Sequence, residues 1–146
     1  MTSNREKGRI IAGSVRIDSD DERFLRLLTA AFARPPASAA KIMRVSTIRL
    51  SHEKTKTTVG LTRYSPGGGW FHGGIRQTIT FYSDLFSQLS DDAALGVIGH
   101  ELAHAWLNEH VSPEESKKRE EEADALAREW GFGKELDALD REAYTV

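Results

Sequence analysis

Two histidines four residues apart constrain this chain more than any other feature of its sequence. They belong to His100-Glu101-Leu102-Ala103-His104, an HExxH pattern inside a stretch whose apolar residues recur at helical spacing. Residues i and i+4 of an α-helix lie on one face, one turn apart, so both imidazoles can bind one metal ion. Glu101 lies beside that face and can accept a proton from a water molecule on the metal. The pattern therefore predicts a zinc site with His100 and His104 as ligands and Glu101 as the general base.

The composition is typical of a single globular domain. The chain has 146 residues, of which 39% are hydrophobic and 29% charged, so we expect one domain over residues 1–146. No apolar run reaches about 18 residues, and residues 1–9 lack the apolar core of a signal peptide, so no membrane association is expected. Cysteine is absent, which excludes disulfides and thiolate ligands and favours the cytoplasm. The net charge of −2 without a long basic tract gives no reason to expect nucleic acid as a partner.

The first half of the chain predicts one helix and several strands. Ser19 and Glu22 form a capping box for a helix that Pro35-Pro36 ends. This helix would bury Phe24, Leu27, Leu28 and Ala31. Residues 44–51 and 56–63 are rich in Val, Ile, Thr and Leu, and they predict two strands joined by a polar turn. A third strand is expected at 77–81, and a short one is expected near Ile10.

The second half predicts helices. Ser90 can cap the HExxH helix, and Ser112-Pro113-Glu114-Glu115 is a capping box for the helix that follows. That second helix would bury Ala123, Leu126, Ala127 and Trp130 and end at Gly131. Residues 133–144 can form one more short helix. We therefore expect an α+β fold, in which a small, mostly antiparallel sheet packs on the N-terminal helix, the HExxH helix and a Glu-bearing ligand helix.

A catalytic zinc ion usually has three protein ligands and an open fourth position, and two residues compete for the third place. Glu120 borders the apolar stripe of its helix, and Asp124 lies one turn further on, where it can orient a ligating histidine. His110 completes the spacing HExxHxxGxxH with the two motif histidines. However, Leu107 occupies the glycine position of that pattern, and no methionine follows it. The residues favour Glu120 and leave His110 open.

The HExxH motif followed by Glu120-Glu121-Glu122-Ala123-Asp124 (ExxAD) resembles the gluzincin zinc peptidases. The likeness covers about residues 77–132 and is strongest to soluble, minimal relatives of the HtpX and CAAX-prenyl endopeptidases. It implies a zincin-like fold, a zinc cofactor bound by His100, His104 and Glu120, and hydrolysis of a protein or peptide substrate. It also implies that Glu101 is the general base and that Asp124 supports a ligand from outside the coordination sphere.

Other functions remain open at this point. The zinc site could be structural or regulatory, or the enzyme could be latent, with its cleft blocked by the tail near Tyr144 and Val146. A SprT-like peptidase acting on DNA-bound proteins would need a basic surface. The glycine-rich segment 67–74 predicts either an ordinary flexible hairpin or an edge strand or lid over the zinc. His72, Tyr82 and Tyr144 are candidates for stabilising the oxyanion, and His52 is expected on the surface.

Overall fold

The computed structural model describes residues 9–11, 15–36, 45–54, 60–66, 75–110 and 116–144. Its strands are β1 (Arg9–Ile11), β2 (Val15–Asp18), β3 (Val45–Ser51), β4 (Gly60–Pro66) and β5 (Ile75–Tyr82). Its α-helices are α1 (Glu22–Phe32), α2 (Ser83–Phe86), α3 (Asp91–His110), α4 (Ser116–Ala127) and α5 (Gly133–Tyr144), and a π-helical turn at Arg128–Phe132 joins the last two. The α+β class is confirmed. None of the described helices has both the length and the apolar stretch needed to cross a lipid bilayer.

The five strands form one mixed sheet in the order β1-β2-β3-β5-β4. The three central strands run parallel, and only the two outer pairs, β1 with β2 and β4 with β5, are antiparallel. The expectation of a mostly antiparallel sheet was therefore wrong. The two strands expected at 44–51 and 56–63 are not neighbours in the sheet, because β5 lies between β3 and β4. A polar turn between two strands indicates where each strand ends but does not fix its partner.

One face of the sheet is covered by the helices. Ile17, Ile48 and Ile79 pair in register across the three central strands, and none of them is exposed. Phe81 of β5 extends this apolar row to Phe24 of α1 and Phe86 of α2. The three rings pack edge to face with centroids 5.5 to 5.8 Å apart. This cluster joins the sheet to α1 and α2, beside the helix that carries the HExxH motif.

The N-terminal helix buries the four predicted residues, together with Leu25. Its N-cap differs from the prediction. Asp21 is the cap, and its side chain accepts a hydrogen bond from the Phe24 amide at 2.8 Å. The Ser19 hydroxyl instead accepts from the Asp21 amide at 3.1 Å and shapes the turn before the helix. A carboxylate two residues closer to the first turn is the better placed acceptor for the free amides there.

Candidate metal centre

His100 and His104 extend from consecutive turns of α3 toward the same side. Their ring centroids lie 4.7 Å apart with the ring planes nearly perpendicular. The side chains are 18% and 12% exposed, so the rings are largely shielded while one edge remains accessible. The i, i+4 spacing on a continuous helix produces this arrangement, as the sequence predicts.

Glu120 reaches both histidines from α4. Its Oε1 lies 2.8 Å from His100 Nε2, and its Oε2 lies 2.9 Å from His104 Nε2. One carboxylate therefore bridges the two imidazole edges. Among the described residues, these three are the group of His, Asp and Glu side chains whose donor atoms converge for metal binding, and those atoms lie within 4.8 Å of one another.

The donor set fits zinc. Ligand atoms of a tetrahedral zinc ion lie about 3.3 to 3.6 Å apart, given bonds of about 2.0 to 2.2 Å. The separations between Glu120 and the two imidazoles require only small shifts to reach that spacing. Two imidazole nitrogens and one carboxylate are also a known donor combination of catalytic zinc sites. The arrangement can hold a metal and leave a coordination position free for water.

The electrostatics of the site couple the three residues. Burial by itself lowers the pKa of His100, but the hydrogen bond to Glu120 and the nearby charges of Glu101 and Asp124 outweigh it, so the pKa is raised. The hydrogen bonds from His100 and His104 hold the pKa of Glu120 well below its ordinary value. Glu120 is therefore ionised at neutral pH, as a metal ligand must be.

Helix α3 is fixed at its N-terminus. The Ala93 amide donates to the Ser90 hydroxyl at 3.1 Å, so Ser90 acts as the predicted cap. The carboxylate of Glu142, on α5, accepts from the Ser90 amide at 2.9 Å and also from its hydroxyl. The C-terminal helix thus stabilises the start of the HExxH helix.

Two glycines let α5 and the π-helical turn approach α3 closely. A β-carbon on Gly96 would lie 2.6 Å from the backbone oxygen of Glu135, and one on Gly99 would lie 2.5 Å from the ring of Phe132. From the sheet side, the buried Gln77 of β5 donates to the backbone oxygen of Ala105 at 2.9 Å. The motif helix is therefore held between the sheet and α5.

The predicted general base is buried. Glu101 is 7% exposed. Its Cγ atom runs past Gly60 at the start of β4, where an added β-carbon would lie 3.1 Å from it. Among the described strands β4 is the last at its end of the sheet order, so the predicted base lies beside the edge of that sheet.

Asp124 lies one turn after Glu120 on α4, as predicted. Its Oδ2 accepts from Arg128 Nε at 2.9 Å, and Arg128 also donates to Asp137 of α5 at 2.9 Å. The negative charge of Asp124 contributes to the raised pKa of His100. The proposal that this carboxylate orients a ligating histidine stays a prediction.

Other residues of interest lie outside the metal group or outside the described residues. His110 ends α3 and Tyr144 ends α5, but their side chains lie outside the described part, as does the whole segment 67–74 with His72. Tyr82 is the last residue of β5. His52 is exposed, as expected, with its Nδ1 2.9 Å from the Ser83 hydroxyl oxygen. The capping box at 112–115 also lies outside the described residues.

The predictions from the sequence did not include the contacts that fix the motif helix, which involve Gly60, Gly96, Gly99, Gln77 and Phe132. A signal for two of them was present. Glycine inside a helix costs about 1 kcal/mol relative to alanine, so Gly96 and Gly99 indicate a close contact that requires the missing side chain. No local pattern indicates that Gln77 is buried, because its hydrogen-bond partner, the Ala105 backbone oxygen, lies far away in the sequence.

A comparison with known protein families matches residues 67–114 to the model described as peptidase family M48. The matched segment contains β5 and the HExxH motif but ends before Glu120. No curated protein and no solved structure matches this chain. The family match supports a metallopeptidase, and the convergence of Glu120 with the two histidines supports a metal site that extends beyond the matched segment.

Proposed function

We propose that this protein is a zinc-dependent endopeptidase, with His100, His104 and Glu120 as zinc ligands and Glu101 as the general base. The observation that carries the proposal is the position of Glu120. Its two carboxylate oxygens reach the two motif imidazoles from a separate helix. An HExxH sequence can arise by chance, but the approach of a third ligand to the same two atoms is not expected of a solvated charged face.

The proposed chemistry divides between the metal and the chain. A bound zinc ion acts as a Lewis acid that polarises a carbonyl and lowers the pKa of water. Glu101 takes the proton of the attacking water and passes it to the leaving amine, so the peptide bond breaks with no net change at the carboxylate. Its burial supports this role, because a water-poor environment strengthens the interaction of the carboxylate with that proton.

The substrate binds, in this proposal, as an extended strand along β4. Within the described residues β4 pairs with β5 alone, and in this proposal the backbone amides and carbonyls of its other edge are open to a peptide. A peptide can add to such an edge through main-chain hydrogen bonds, independently of most side chains. Since β4 begins beside Glu101, a peptide on this edge would pass the base.

The finer assignment rests on the resemblance to the HtpX and CAAX-prenyl endopeptidases and on the M48 match. We propose a peptidase of that gluzincin group that acts on protein or peptide substrates in the cytoplasm. The absence of cysteine suits a reducing compartment.

The test combines metal content with hydrolysis. Wild type, Glu101→Gln and the exposed control Glu121→Gln are purified identically, and zinc per chain and cleavage of unfolded casein are measured. We expect one zinc in all three proteins and hydrolysis in wild type and Glu121→Gln only. Turnover in Glu101→Gln equal to that of wild type would remove Glu101 from the reaction. Wild type that stays metal-free in added zinc would contradict the site itself.

A further inference from the structure

We propose that Gly60 is a positioning residue for Glu101: the absence of a side chain at position 60 sets where the base lies against the substrate edge of the sheet. This inference rests on the proposed function for its catalytic consequence, while its structural part is independent of metal and substrate. Gly60 opens β4 and pairs with Phe81 of β5.

Gly60 lies against two side chains at once. A β-carbon at this position would lie 3.1 Å from Glu101 Cγ and 3.1 Å from two ring carbons of Phe81. Both distances are shorter than ordinary contact between carbon atoms, for which the optimum is about 3.5 to 4.0 Å. The Glu101 side chain therefore passes the sheet directly beside the backbone of Gly60. This contact restricts the conformations of a side chain that has three rotatable bonds.

Of the two neighbours, Glu101 is the one that would have to move. Phe81 is fully buried, and its ring packs against Phe24 at 5.5 Å and Phe86 at 5.8 Å. A ring held on both sides in a close-packed core has no room to retreat. Glu101 is also largely buried, but its side chain rotates about three bonds and is therefore the more flexible of the two. An alanine at position 60 would therefore displace the carboxylate that the reaction uses.

The effect is steric and not a matter of backbone strain. Gly131 is the one glycine among the described residues with a positive φ, so alanine is compatible with the backbone at position 60. This separates Gly60 from glycines that are needed for their conformation. Gly133 provides a matched control, since a β-carbon there meets only a guanidinium nitrogen of Arg128 at 3.9 Å.

The first measurement is a stability cycle that needs neither zinc nor substrate. Thermal unfolding of the metal-free protein is compared for Gly60→Ala in wild type and in a Glu101→Ala background, which removes the displaced Cγ. We expect Gly60→Ala to lower Tm by about 3 to 10 °C in wild type and by less than half as much without the Glu101 side chain. Equal shifts in the two backgrounds would overturn the contact. Gly133→Ala should show no such dependence on Glu101.

The second measurement concerns catalysis by the zinc-loaded protein. We expect Gly60→Ala to bind one zinc, with kcat reduced about 10- to 100-fold and KM changed less than about threefold, because a misplaced base slows the chemical step more than binding. Gly133→Ala should keep wild-type kcat. If wild type hydrolyses the substrate and Gly60→Ala has the same kcat, the positioning role of Gly60 is wrong while the proposed function stands. Absence of turnover in wild type would contradict the proposed function, and the stability cycle would still decide the contact.

Discussion

Phe132 covers Gly99 so closely that the ring occupies the space where a side chain at position 99 would begin. A β-carbon there would lie 2.5 Å from Phe132 Cγ and 2.7 Å from two further ring carbons. Gly99 immediately precedes His100, and Phe132 is fully buried in the π-helical turn between α4 and α5. The missing side chain at position 99 therefore sets how closely the π-helical turn approaches α3 beside His100.

Replacing Gly99 by alanine should destabilise the protein, although alanine favours helix formation. The added carbon would meet the fully buried Phe132 ring, and such overpacking costs about 1 to 3 kcal/mol. Urea unfolding of Gly99→Ala, with Gly133→Ala as the control, measures this loss. A midpoint at or above that of wild type would mean that Phe132 can retreat and that the contact does not fix α3.

The third ligand can be identified by zinc content. Glu120→Ala should lose zinc under conditions in which wild type retains one ion, because two imidazoles alone hold zinc weakly. His110→Ala should retain the metal. The reverse result, with zinc lost in His110→Ala and kept in Glu120→Ala, would indicate a site of the HExxHxxGxxH type.

Asp124→Asn should weaken zinc binding by less than about tenfold, although outer-sphere hydrogen-bond partners of zinc ligands contribute about 10- to 100-fold. The Asp124 carboxylate is hydrogen-bonded to Arg128, and its negative charge contributes to the raised pKa of His100. We therefore expect Asp124 to act on His100 through its charge and not through a hydrogen bond. Competition with a chelator gives the affinities, and Asp137→Asn, which also contacts Arg128, is the control. A 100-fold loss confined to Asp124→Asn would show that this carboxylate orients a histidine in the zinc-bound protein.

Glu135 should make stability depend on pH below neutrality. The hydrogen bond from Arg34 holds the pKa of the Glu135 carboxyl below its ordinary value of 4.5, and the side chain is 7% exposed. A carboxyl with a lowered folded-state pKa stabilises the protein above the unfolded pKa, and this contribution is lost as pH falls through the folded value. The free energy of unfolding of wild type should therefore exceed that of Glu135→Gln by about 1 to 3 kcal/mol at pH 7.

Unfolding of both proteins between pH 7 and pH 3 tests this prediction. The difference between them should shrink only below about pH 4.5, as the carboxyl becomes protonated. A difference that stays constant over this range would assign the effect of Glu135→Gln to packing and not to charge. Arg34 also donates to the Gly131 backbone oxygen at 2.9 Å, so part of its anchoring role persists in the variant.

Local sequence signals located most of the long helices and indicated the three residues that the structure groups. Helical periodicity located α1 and α3, and the structure groups the i, i+4 histidines with Glu120, which the sequence favoured over His110. Gly131 lies in the π-helical turn after α4 with a φ of 98°, a conformation that favours glycine, and α5 begins at Gly133. These features depend on interactions between residues close in sequence, or on residue types such as glycine that few others can replace, and both can be recognised from a short stretch of sequence.

Strand order could not be read in the same way. The alternation of Ile79 and Phe81 indicates a strand with one buried face, but it is equally compatible with a parallel or an antiparallel neighbour. The close approaches at Gly60 and Gln77 likewise depend on which elements pack together. The hydrophobic pattern of a sequence indicates which face of a helix or strand is buried, but not which element covers that face.

The strand order has a consequence for how quickly the chain can reach its native state. Strand β5 is hydrogen-bonded to both β3 and β4, so neither ladder can close as a local hairpin with the other. To pair Ile48 with Ile79, the chain must close a loop that contains β4. The entropy cost of closing this loop precedes the stabilising contacts between the strands. The segment that completes the sheet leads directly into α2 and α3. We therefore expect the rate at which His100 and His104 reach their final surroundings to be set by this long-range pairing and not by the microsecond formation of their own helix.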